Sequence, residues 1–210
     1  MTFSIVAGDP ETGAWGVGVA SKYLAVGSMV PAAQADAGAL ATQAYTNASF
    51  RPLGLSSLRG GRSAGETLDV LLSQDSGRAA RQVGIVDNRG GSALWTGGDC
   101  SPYAGGIRGE GYVVMGNLLA GPEVITAMSD AWTDGDPEKP LAQRLCESLQ
   151  AGEAAGGDRR GRQSAAILVA RRGSDYILGT DIEIDLRVDD HDFPLTELGR
   201  LLELRYGAPP

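Results

Sequence analysis

The run TFSIVAGDPETGAWGVGVASK, residues 2–22, holds two strand-like segments around a turn. Residues 2–8 and 14–21 alternate and are rich in Val, Ile and small side chains, the pattern of a strand. Asp9-Pro10-Glu11-Thr12-Gly13 between them is strong turn chemistry. The stretch therefore reads as an antiparallel hairpin. With residues 9 and 14 flanking the turn, paired positions sum to 23, and Thr2 falls opposite Ser21 with Lys22 one step beyond. A lysine there is either a solvated strand-end cation or a neighbour that lowers the pKa of an amine at residue 2.

Working outward, residues 38–46 (GALATQAYT) read as a central strand. Ser63-Ala64-Gly65-Glu66 is a capping box that opens a helix carrying Leu68, Leu71 and Leu72 on one face. Residues 81–87 and 92–96 flank Asn88-Arg89-Gly90-Gly91 as a second hairpin, and 112–116 is a short strand. Gly121-Pro122-Glu123 starts a helix running to about Trp132, since Pro fits a first helical turn and Glu suits the positive end of the dipole. A second helix spans 140–149, and a Gly-rich loop spans 151–161. Residues 164–170 and 175–180 read as a late hairpin, and Leu195, Leu198, Leu201, Leu202 and Leu204 mark a terminal amphipathic helix over 194–206. Hairpins separated by helix blocks predict a layered α+β domain, with residues 1–210 as a single unit.

The bulk properties narrow the function classes. With 210 residues, 42% of them apolar, the chain can bury a real core. A net charge of −8 and an isoelectric point near 4.7 disfavour nucleic acid and anionic membrane as partners. No apolar run approaches the ~20 residues that span a bilayer. No basic region precedes an apolar run at the start, so the expected location is cytoplasmic. Cys100 and Cys146 lie far apart without a CxxC spacing, which argues against a disulfide framework or a structural zinc site. No cofactor or metal is expected. Asp189-Asp190-His191-Asp192 has metal-ligand chemistry, but one short loop closes poorly around a tetrahedral ion, and a solvated acidic turn is the simpler reading. Gly60-Gly61-Arg62-Ser63 lacks the lysine and the preceding strand of a phosphate-binding loop.

The catalytic sets follow from the single histidine, His191, and from the lack of a G-x-S-x-G elbow. A Ser-His-Asp or Cys-His pair has little to work with. A mature N-terminal threonine needs no histidine, because its own α-amine, with a pKa of about 7.7–8.0, can act as the base. Thr2 is such a candidate once Met1 is removed. Asn47, at the end of a predicted core strand, is a candidate oxyanion donor. A cysteine enzyme is a third reading, but Cys146 sits among helix leucines and Cys100 has no histidine nearby.

Several motifs together resemble a known family. They are Met1-Thr2-Phe3-Ser4-Ile5 with Gly16-Val17-Gly18-Val19-Ala20-Ser21-Lys22, then Gln43-Ala44-Tyr45-Thr46-Asn47, Arg81-Gln82-Val83-Gly84-Ile85-Val86-Asp87 and Gly116-Asn117-Leu118-Leu119. Gly157-Asp158 through Gln163-Ser164-Ala165 and Ile184-Asp185-Leu186-Arg187-Val188-Asp189-Asp190-His191 complete the set. The chain resembles the bacterial family called domain of unknown function 1028, assigned to the Ntn-hydrolase-like (N-terminal nucleophile) fold. That resemblance implies a four-layer αββα sandwich of two antiparallel sheets between helices, with the nucleophile opening the first strand. By likeness to proteasome-type enzymes it places Lys22 near the nucleophile, Asn117 ahead of the helix after the middle strands, and Asp158 and Ser164 on a later loop at the substrate. The catalytic set expected is Thr2, Lys22, Asn47 and Asn117, with Asp158 and Ser164 binding substrate. Asn117 as a helix cap and Asp158 paired with Arg160 are the structural alternatives.

The expected activity is therefore hydrolysis of a small amide or peptide-like substrate. The competing expectation is a non-catalytic ligand-binding or assembly protein on the same fold, since fold does not fix function. The leucine-rich last helix suggests either core burial or a homo-oligomer contact.

Overall fold

The computed structural model describes residues 2–174 and 179–207. The opening hairpin forms as the sequence predicts. Strand β1 (Thr2–Asp9) pairs antiparallel with β2 (Ala14–Ser21), and Phe3 opposite Ala20 and Asp9 opposite Ala14 confirm the register. Beyond a short 3-10 turn come β3 (Pro31–Gln34), β4 (Gly38–Ala44), α1 (Phe50–Arg59) and α2 (Ala64–Ser73). Next are β5 (Arg81–Asp87), β6 (Ser92–Thr96), β7 (Gly105–Gly109) and β8 (Tyr112–Asn117). The chain continues through α3 (Glu123–Thr133), α4 (Leu141–Ala154), β9 (Ser164–Arg171), β10 (Ile182–Val188) and α5 (Pro194–Gly207).

The architecture is mixed α+β, built on two antiparallel sheets. One has the order β10-β9-β2-β1-β8-β7 and the other β3-β4-β5-β6. The two sheets face each other through Val6, Val17, Val19, Val86, Val113 and Met115. Helices α3, α4 and α5 cover the six-stranded sheet, where Phe3, Ile5, Met128, Leu145, Leu149 and Ile167 pack together. Helices α1 and α2 cover the four-stranded sheet over Leu40, Leu58, Leu71, Val83 and Ile85. Strand alternation sends Phe3, Ile5 and Ala7 toward the helices and Ser4 and Val6 between the sheets.

Small residues set how closely these layers approach. A Cβ on Gly16 would meet the Leu145 side chain and the Leu168 carbonyl, each at 2.9 Å, so the bare backbone lets α4 lie directly on β2. Gly54 does the same for α1 against Leu40, at 2.6 Å. That helix is invisible to propensity reading because FRPLGLSSLR contains both Pro and Gly. Pro52 falls in the first turn, where its missing N–H breaks no helical bond.

The capping box forms, with Ser63 Oγ accepting from the Glu66 N–H at 3.3 Å and the Ser63 N–H donating to Glu66 at 2.8 Å. The late hairpin needs correction. Strand β10, which starts beyond the predicted segment, pairs with β9, and residues 175–178 of that segment lie outside the described residues. The predicted 151–161 loop is helical as far as Ala154. Leu195, Leu198 and Leu202 of α5 are buried, so that leucine stripe is largely core. Among the described residues, no helix is long and apolar enough to cross a membrane.

Candidate functional site

The chemistry-bearing residues converge at the end of the six-stranded sheet where β1 starts. Antiparallel register aligns Ser21 with Ser164 and Thr2 with Asn117, and the β1–β2 hairpin sets Thr2 beside Ser21. The result is a cross-strand row, Ser164–Ser21–Thr2–Asn117, on four adjacent strands. All four residues are buried. The Thr2 and Ser21 hydroxyl oxygens are 3.2 Å apart, within hydrogen-bond reach.

A buried amide network fixes this row from the facing sheet. Gln43 of β4 donates through Nε2 to the Thr2 carbonyl at 3.3 Å and to Gln82 Oε1 at 2.9 Å, and it accepts from Ser4 Oγ at 2.5 Å. Gln82 of β5 accepts at the same Oε1 from Asn117 Nδ2, also at 2.9 Å. Its own Nε2 faces Gly116 O, Thr96 Oγ1 and Gly105 O at 2.8, 3.0 and 3.1 Å. Gln43 and Gln82 are fully buried, and buried amides are stable only when their polar atoms are partnered. The pair therefore ties the first residue of β1 and the last of β8 to the second sheet. Sequence reading singled out neither glutamine as a site residue. The available signal was a glutamine within each of two largely apolar strands.

The other expected site residues lie as follows. Lys22 follows β2, its ammonium donating to the Arg162 carbonyl at 2.9 Å and its N–H to Asp158 Oδ2 at 2.9 Å. Among the described residues it makes no hydrogen bond to Thr2. Asp158 is buried and pairs with Arg160 at 2.9 Å, so it fastens the loop before β9 to the end of β2. Ser164 Oγ donates to the Tyr23 carbonyl and accepts from the Val26 N–H, which secures the turn after β2. Asn47 lies on the β4–α1 loop, apart from the row. Its Oδ1 accepts from the Ser49 N–H and hydroxyl, and its Nδ2 donates to Asp75 at 3.2 Å.

Asp75 belongs to a compact ionic knot. Arg81 donates to it at 2.7 Å, and that contact, helped by Asn47 and the Gly77 N–H, holds its carboxyl down at about 2, below the ordinary 3.8. Because the folded value lies below the unfolded one, the stabilisation is fully present above pH ~4 and is lost as pH falls through 2. A carboxyl lowered from 3.8 to about 2 contributes roughly 2.5 kcal/mol at neutral pH. Urea unfolding at pH 6 and at pH 2.5 should show Asp75→Asn removing about 1.5 kcal/mol of the acid sensitivity, since part of the stabilisation persists at pH 2.5. Identical pH profiles for the two proteins would contradict the assignment.

A cleft of about 400 Å³ opens beside the row, lined by Ser21, Phe3, Glu153, Asp158, Arg162 and Phe193 among others. Arg162 pairs with Glu153 at 3.2 Å, and its guanidinium lies 5.6 Å from the Phe193 ring centre. Burial pushes the Glu153 carboxyl above its usual range. The acidic run before α5 is engaged locally, since Asp189 pairs with Arg187 and His191 Nδ1 accepts from the Phe193 N–H.

Neither cysteine is poised for chemistry. Burial pushes the Cys146 thiol up to about 12 and raises that of Cys100. A thiolate-dependent reagent at pH 8 should label Cys146 only after unfolding and Cys100 slowly in the native protein. Rapid labelling of Cys146 in the folded protein would refute this.

Comparison with known proteins agrees with the architecture. Residues 2–198 match the family model described as "Family of unknown function (DUF1028)". The crystal structure of protein SPO2555 from Silicibacter pomeroyi, of the same family, is 34% identical in sequence, with a TM-score of 0.86. The match covers 96% of this chain and 84% of that one. No curated protein matches the chain. The matched model spans nearly the whole sequence, and the chain belongs to the DUF1028 family, a family of unknown function.

Proposed function

We propose that the protein is an N-terminal-nucleophile amidohydrolase on an αββα sandwich of the Ntn-hydrolase type. In this reading Thr2 becomes the nucleophile after Met1 is removed, and the substrate is a small amide or peptide-like compound. The observation that carries it is the position of Thr2. It opens an inner strand of the six-stranded sheet, its hydroxyl meets Ser21, and among the described residues no histidine, lysine or carboxylate hydrogen-bonds that hydroxyl. A base must then come from the α-amine freed with Met1.

In the proposed reaction Thr2 Oγ attacks the carbonyl carbon and its proton passes to the α-amine. The amine returns that proton to the leaving nitrogen, and water then hydrolyses the ester. Ser21 orients the hydroxyl. Asn117 has an amide hydrogen besides the one engaged by Gln82, and with backbone N–H groups it would stabilise the oxyanion. Asn47 has no part in this reading because it lies on the β4–α1 loop and, among the described residues, bonds to Ser49, Asp75 and Thr42 rather than to the row. The supporting cleft is the one lined by Ser21 and Asp158.

A screen of amides and short peptides, run on mature protein and on Thr2→Ala, tests the reading. Full activity in the variant would exclude it. The alternative is a binding protein on the same fold, and the burial of Thr2 favours it. An intact mass that includes Met1, measured on protein from its own host, would select that alternative.

A further inference from the structure

The opposite end of the same hairpin carries a second cleft. Eight residues of β1 at ~3.3 Å each put it roughly 25 Å from Thr2. It has a volume of about 790 Å³, and Asp9, Glu110, Trp132, Pro140, Arg144 and Tyr206 contribute to its walls. The Arg144 guanidinium lies 4.0 Å from the Trp132 ring centre. Its Nε is buried without a hydrogen-bond partner, and among the described residues no carboxylate forms an ion pair with its side chain. Burial also depresses the pKa of Arg144, against the weaker pull of Asp9, Asp136 and Glu147.

The cleft's other cations are engaged. Lys139 pairs with Glu147 at 2.6 Å, Arg171 pairs with Glu183 at 2.9 Å, and Arg89 donates to the Gly61 carbonyl at 3.0 Å. The terminal Nη atoms of Arg144 make no hydrogen bond or ion pair among the described residues, so this stacked, partly desolvated guanidinium lacks an acceptor, and a planar carboxylate matches its geometry. Glu11, Glu110 and Glu138, which also line the cleft, form no ion pair among the described residues. These carboxylates repel a polyanion and favour a ligand whose remote end is cationic.

We propose that this cleft binds the carboxylate of an amino acid or short peptide, with Arg144 stacked on Trp132 as the anchor. The site is independent of Thr2 chemistry.

The test uses the full chain labelled with 15N and follows the indole N–H resonance of Trp132, assigned by its loss in Trp132→Phe. The dipeptide Gly-Leu should shift it with a Kd on the order of 1 mM. Gly-Leu amide, which lacks the carboxylate, and inorganic phosphate should each bind at least roughly tenfold more weakly. Arg144→Gln, with an otherwise native spectrum, should lose the Gly-Leu response. Equal binding of the amide, equal or tighter binding of phosphate, or an unmoved Trp132 resonance would each overturn the proposal. The first two comparisons use wild-type protein, so a poorly folded variant cannot obscure the answer.

Discussion

Thr2→Ala protein should lose at least about 10³-fold in kcat/KM on any amide that the mature wild type cleaves. The size follows from what is removed. In the proposed mechanism the threonine supplies the attacking oxygen, and no second group can take its place at the same point in space. Ser21 lies within 3.2 Å of that oxygen, but it sits inside the chain on β2 and has no α-amine to accept its proton. Thr2→Ser keeps both the hydroxyl and the amine and should retain measurable turnover. Ser21→Ala should cost far less than Thr2→Ala, about tenfold, because it removes only an orienting contact. Mass spectrometry of mature protein quenched during turnover should show an acyl adduct on the N-terminal peptide. An adduct elsewhere, or activity in Thr2→Ala equal to wild type, would eliminate Thr2 as the nucleophile.

Gln82→Ala should be the most destabilising single change at the site, by on the order of 3–5 kcal/mol. One fully buried amide on β5 reaches four other strands across two sheets. Its carbonyl accepts from Gln43 and Asn117, and its nitrogen faces the carbonyls of Gly105 and Gly116 together with the Thr96 hydroxyl. Truncation leaves the amides of Gln43 and Asn117 and the Gly116 carbonyl buried without this partner and opens a cavity between the sheets. Gln82→Glu keeps the volume but removes the donors facing two carbonyls and buries a charge, so it too should be severely destabilised. Urea unfolding monitored by tryptophan fluorescence measures both. A loss below about 1 kcal/mol in each variant would show that the network is not what joins the sheets at this end.

Much of the fold was legible because its signals are local. The hairpin around Asp9–Gly13 has turn residues at one end and period-two alternation on both sides. Those two facts fixed the register that puts Thr2 beside Ser21. The Ser63–Glu66 capping box was equally local. What escaped were elements whose residues violate propensity. Helix α1 is built around Pro52 and Gly54, and the short Gly-rich β7 has little strand character of its own. In both, neighbours outweigh intrinsic preference: Gly54 admits Leu40, and β7 gains its ladder from β8.

The candidate site divides in the same way. Thr2 could be singled out from position and chemical type, and its neighbour Ser21 from pairing arithmetic. The directions of Lys22 and Asn47 could not, because each is set by acceptors distant in sequence. Lys22 turns to the carbonyl of Arg162, and Asn47 to Asp75. Gln43 and Gln82 read as unremarkable polar residues until two sheets were stacked and their amides met.

The sequence by itself thus determined the α+β pattern, the opening hairpin with its register, and a threonine positioned as a potential nucleophile. Only the tertiary structure decided which polar side chains share that threonine's surroundings. Strand register is encoded by short-range alternation and turns, whereas the packing of one sheet on another depends on burial summed over the whole chain. The amide network lies at that second level, and so does Arg144, stacked on Trp132 at the far end of the hairpin.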